Sequence, residues 1–168
     1  MLYLPIHIVW LEMVIHPSAL LVFQELPPDG PLLRRRQNRQ VRFFDGWQWL
    51  SIALVGALIT AIVTAAYEHG LGMGKDVEYA RAMALVALTL ASAGITAALS
   101  GLRGMTAKII VLSTIGLSLL LVQVPWLATT LHLKPLQLDD WLIAASAAVV
   151  AALIPLLRQF GFGKNRVN

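Results

Sequence analysis

Five apolar runs of membrane length, each closed by a polar or basic turn, leave this chain little choice of fold. They cover approximately residues 2–23, 47–67, 80–99, 107–127 and 141–157. A helix of about 20 residues, rising 1.5 Å per residue, crosses the hydrocarbon core of a bilayer. Backbone polar groups find no water there, so such runs must satisfy them internally as helices. The sequence therefore predicts an all-α integral membrane bundle of five transmembrane helices and no soluble domain. Composition bears on this directly. With 58% hydrophobic residues, 13% charged residues and a mean hydropathy of +0.72, there is too little polar side chain to cover a soluble domain of this length. The absence of cysteine removes disulfides and thiolate metal sites.

The connections carry the charge. Gln24 to Pro31 is a run of turn formers, and the stretch Arg34 to Arg42 holds five arginines; such a run reads as a solvated loop that fixes orientation. Trp47, Trp49 and Tyr67 are placed as interfacial aromatics. Glu68 to Tyr79 is glycine-rich, but no strand precedes it and no lysine–hydroxyl pair closes it, so it is expected to be a flexible turn rather than a phosphate loop. Ser100 to Thr106 is a tight basic turn, and Ala128 to Asp140 is an extramembrane link whose Asp139 and Asp140 suit the start of a helix. Ten Lys and Arg fall on one side of the spans and three on the other. This bias predicts an N-terminus outside and a C-terminus in the cytoplasm, in a bacterial inner membrane or a plasma membrane. The net charge of +4 sits at span ends, so it is a topology signal and nucleic acid is not an expected partner.

The first span carries the chemistry. Glu12 and His16 lie four apart inside an apolar segment, a spacing that puts them on one helical face about 40° apart. An ionisable group at membrane depth costs several kcal/mol, on the order of 3, unless it is paired or faces water, so by default it marks a functional path. Pro17 follows at once; lacking an N–H, it leaves the carbonyl of Met13 without its usual donor and is the expected helix break. A carboxylate, an imidazole and a freed carbonyl oxygen in one place suit a cation path, as in transporters with broken helices. The structural alternative is an ion pair that only holds the bundle together. His7 lies about 180° around the helix from His16 and close to the membrane edge, which reads as an interfacial histidine.

The third span is rich in small and hydroxyl residues from Ala91 to Ala98. Such residues let helices approach closely, so this span reads mainly as a packing surface, with Ser92 and Thr96 as weaker candidates for cation ligands.

The order of these features resembles the C-terminal half of the membrane domain of P-type cation-transporting ATPases, their sixth to tenth membrane helices. The likeness runs from Leu4 to about Phe160. Its most specific stretch is Leu4-Pro-Ile-His-Ile-Val-Trp-Leu-Glu-Met-Val-Ile-His-Pro17, similar to the proline and tryptophan pattern of the sixth helix, with Phe23 and Pro27-Pro28 at its exit. Also similar are Phe44-x-Gly-Trp47, Tyr79-Ala-Arg-Ala-Met83, Val124-Pro-Trp-Leu127 and Leu136-x-Leu-Asp-Asp-Trp141. In the calcium pumps of that family the sixth helix supplies ligands from an Asn-x-x-Thr-Asp pattern. Aligned on Trp10, Glu12 takes the Asn position, Ile15 the Thr position and His16 the Asp position. The resemblance thus implies an ion path at Glu12 and His16. Calcium prefers oxygen donors, whereas imidazole suits later transition metals or a titrating role, so calcium is not implied.

The same resemblance implies what a whole pump needs and these residues do not carry: the Asp-Lys-Thr-Gly-Thr phosphorylation motif, a nucleotide-binding domain and a Thr-Gly-Glu actuator loop. Phosphoryl transfer depends on that machinery, with ATP and magnesium bound there. No catalytic or cofactor-binding residue, and no ATPase activity, is therefore expected of this chain alone. Met1 falls inside the sixth helix as the family draws it, so a fragment or a split reading frame is expected. The expected partners are the bilayer, a cation, and the N-terminal part of the pump. The alternative is an independent small subunit or scaffold packing against a partner transporter.

Overall fold

The computed structural model describes residues 3–24, 46–102 and 104–163; among these, the side chains of 15–24, 47, 48, 154, 155 and 157–163 are not described. The arginine-rich loop, the Phe23 and Pro27-Pro28 exit and the extreme C-terminus therefore lie outside the described residues. Six helices and no strand occur in the described parts: α1 (Pro5–Gln24), α2 (Gly46–Gly72), α3 (Val77–Ser100), α4 (Met105–Gln123), α5 (Pro125–Thr130) and α6 (Leu138–Gly163). Among the described residues, three helices are long and apolar enough to cross a bilayer, at Trp49–Gly72, Val77–Ser100 and Met105–Gln123; the described apolar part of α1, Pro5–Val14, is shorter.

α3 is the hub. It packs against α6, α2, α4 and α1, and 61% of its span is buried, against 11% for α2. Its small residues make this possible. A Cβ on Gly94 would stand 2.6 Å from the carbonyl oxygen of Ala148, so α3 and α6 touch backbone to backbone. Gly70 does the same for α2, where a Cβ would meet the Cα of Ala80 at 2.8 Å. Met83, Val86, Leu90, Leu121, Val122 and Leu133 are among the larger members of the core cluster.

The connections differ from the sequence reading in two places. The expected flexible turn from Glu68 to Tyr79 is helical as far as Gly72. Gly70 docks on Ala80 and holds that extra turn in place, and the reversal is confined to 73–76, with Gly74 at φ +70. The run expected at 107–127 as one helix is divided at Val124. Pro125 has no N–H to continue α4 and restricts Val124 to an extended conformation, φ −82 and ψ 114, while suiting the first position of α5. The link after α5 is not loose: Leu131, Leu133 and Leu136 are buried beneath it.

Candidate functional site

α1 begins with a cap built from its own sequence. Leu4 accepts backbone bonds from His7 and Ile8 at 3.0 and 3.4 Å, and Pro5 occupies the first helical position, where a missing N–H costs nothing. The Leu4 N–H donates back to Nδ1 of His7 at 3.2 Å. The imidazole thus takes the part that Glu or Gln plays in a capping box. Because Nδ1 accepts, the ring proton is assigned to Nε2, which donates to the carbonyl of Leu131 at 2.6 Å. The histidine expected at the interface is fully buried inside the protein. The reason is geometric: the link after α5 folds over the start of α1 and presents an unpaired carbonyl there.

Three further groups dock the same face. The Tyr3 hydroxyl donates to Ala84 of α3 at 3.2 Å, and its ring meets His7 edge-on. Trp10 and Leu11 pack on the core cluster. Trp10 also lines a crevice with Leu85, Val86 and Thr89 of α3 and Ser118 of α4. Among the described residues nothing covers the opposite face of α1, with Ile8, Val9 and Met13 exposed at 54, 58 and 68%. Glu12 is exposed on that face, about 140° around the helix from His7. α1 runs on through positions 16 and 17, which keeps position 16 one turn from Glu12. The side chains of His16 and Pro17 lie outside those described.

Ser92 and Thr96 are on α3. The Thr96 hydroxyl donates to the Ser92 carbonyl at 2.9 Å, so its proton is committed to its own helix. Among the described residues no group of three or more His, Asp or Glu is arranged to hold a metal ion. The polar contact that sequence reading missed is nearby. Ser118 Oγ lies 3.0 Å from Thr89 Oγ1 and 2.9 Å from the Thr114 carbonyl, and Thr89 Oγ1 lies 3.0 Å from the Leu85 carbonyl. Thr89, Thr96 and Ser92 share one side of α3, within about 60° on a helical wheel. That seven-residue recurrence of hydroxyls, with Thr114 and Ser118 four apart in α4, was the signal available in the sequence.

A second clamp sits at the same end of the bundle. Asp140 reaches back to accept the Gln137 N–H at 2.9 Å, completing the cap of α6, and it also accepts the buried Tyr79 hydroxyl of α3. Asp76, at the start of α3, pairs with Lys134 of the link. The hydrogen bond and charge of that ammonium hold the Asp76 carboxyl below its ordinary value, and the carboxylate in turn raises Lys134. The start of α1, the 73–76 turn and the 131–137 link are therefore gathered at one end of the molecule.

Residues 1–160 match the family described as cation transporting ATPase, C-terminus. A comparison with curated proteins gives no match.

Proposed function

We propose, from the premise that this chain belongs to the family of cation-transporting ATPase C-termini, that it supplies one wall of a pump's ion path through the outer face of α1. The chain is a C-terminal membrane part of a cation ATPase. In this reading Glu12 is the principal ion-facing group, position 16 extends the same wall, and the carbonyl freed by Pro17 adds an oxygen donor. Ser92 and Thr96 belong to the supporting helix behind it.

One observation carries the reading. Glu12 is on the face of α1 that the described residues leave exposed, while the face that docks on α3, α4 and the link holds Tyr3, His7 and Trp10. An ionisable residue on an exposed helix face at membrane depth suits a polar neighbour, which in this reading is the N-terminal part of the pump. The α1 start, the 73–76 turn and the 131–137 link share one end, and in this reading the bias of basic residues makes that end the outer one.

The test is made in an intact pump carrying these residues. Glu12→Gln and His16→Gln are expected to reduce cation-stimulated ATP hydrolysis at least tenfold, about 1.4 kcal/mol, or to change its ion dependence, at unchanged expression. Parallel loss of expression and activity in both variants would assign the pair to structure and reject the path. The chain by itself is expected to hydrolyse no ATP with any cation.

A further inference from the structure

The described groups that fix α1 in rotation are on its docked face, and among them one bonds to two separate places. His7 joins the first turn of its own helix, through the Leu4 N–H, to the carbonyl of Leu131 after α5. Both bonds need the same state of the ring, with a lone pair on Nδ1 and a proton on Nε2. Tyr3 and Trp10 add contacts but no such dependence.

We infer that His7 is a positioning residue for the ion-path helix: as the neutral Nε2–H imidazole it sets the rotation of α1, and so the direction of Glu12, and protonation of Nδ1 releases it. The inference rests on the reading of Glu12 as path-facing. An imidazolium presents an N–H to the Leu4 N–H, so two donors oppose each other where one bond had been, and the cap of α1 is lost while the Leu131 bond survives. The first turn then has one anchor in place of two. The ionisable groups around His7 are Tyr3 just before its helix, Arg81 on α3 and His132 just after α5. The Leu131 carbonyl belongs to the end of the bundle read as external, so acid on that side acts on a helix whose other face holds the path.

The absence of cysteine in the chain makes a direct test possible. Met13→Cys on the outer face of α1 and Leu112→Cys on α4 replace exposed residues, and spin labels on the pair read the distance between the two helices in the full chain reconstituted in lipid. Spectra are taken well above and well below the ordinary histidine value of about 6.5. The expected result is a narrow distance distribution at high pH that broadens or shifts in acid. His7→Gln, which keeps an acceptor for Leu4 and does not titrate, is expected to stay narrow throughout. His7→Phe, which keeps the volume and neither bond, is expected to be broad throughout. An acid-insensitive distribution in the unsubstituted chain overturns the inference, as does a pH response retained in His7→Gln or a narrow distribution in His7→Phe. The labels do not involve Glu12. A neutral Glu12→Gln in the pump with an intact His7 response therefore rejects the path alone, whereas the reverse outcome rejects only the clamp.

Discussion

α3 and α1 are both apolar helices carrying polar side chains, yet they treat those side chains in opposite ways. On α3 several polar groups are closed within the chain: Thr89 meets Ser118 and the carbonyls of Leu85 and Val86, Thr96 bonds the Ser92 carbonyl, and Tyr79 donates to Asp140. On α1 the inner face is closed in the same way by Tyr3 and His7, while the outer face presents Glu12. Polar groups at membrane depth that are satisfied at home hold a bundle together. Glu12 instead stands on the side of α1 that the described residues leave exposed, which in the proposed reading is the side of the ion path. This contrast in exposure is the ground on which the proposed reading assigns α3 to the scaffold and the outer face of α1 to the path.

The largest expected effect tests the scaffold half of that contrast. Gly94→Leu places a side chain against the Ala148 carbonyl, where even a Cβ has only 2.6 Å. Overpacking costs about 1–3 kcal/mol in typical cores, and a rigid backbone neighbour puts this case at the upper end. The thermal midpoint of the purified chain in detergent is expected to fall sharply. Glu12→Gln on the outer face of α1 is expected to move it little, within about 0.5 kcal/mol. Comparable losses in the two variants would break the comparison, since Glu12 would then belong to the fold.

A smaller effect sharpens it. Ser118→Ala removes the hydroxyl that links α4 to Thr89 of α3, and interhelical bonds of this kind contribute about 0.6 kcal/mol in membranes. The variant is expected to lose roughly that amount in an unfolding titration while leaving cation dependence in an intact pump unchanged. A shift in cation affinity would move Thr89 and Ser118 from the scaffold to the path.

Much of this was legible in the sequence. Membrane-length apolar runs gave the helices because hydrocarbon permits nothing else, and the small residues of the third span foretold the close seam at Gly94. The spacing of Glu12 and His16 put both positions on one face of α1. Three things were not legible. The role of His7 depends on the carbonyl of Leu131, 124 residues away in the chain, which no local pattern announces. The helical extension to Gly72 depends on Gly70 meeting Ala80, and glycine read locally means a turn. The division at Val124 was signalled by Pro125, but a hydrophobic run on both sides hid it.

The smallest expected effect concerns the surface of α3. Asp76, which precedes its first turn, pairs with Lys134 of the link, and both side chains are largely exposed, 65 and 46%. The pair lowers the Asp76 value, so the contribution of that carboxylate is complete above the ordinary carboxylate value of about 3.9 and disappears as pH falls through its lowered folded value. The raised Lys134 value gives the opposite limit: its contribution is complete below the ordinary lysine value of about 10.4 and disappears as pH rises through the folded value. Asp76→Asn is therefore expected to destabilise the chain slightly between those limits and to become indistinguishable from the unsubstituted protein in strong acid. Salt is expected to shrink the difference, because exposed pairs are screened. The same salt series leaves the Gly94→Leu loss in place, which comes from packing. A difference at Asp76 that ignores both salt and acid would mean that α3 is held at this end by the shape of the 73–76 turn, with charge playing no part.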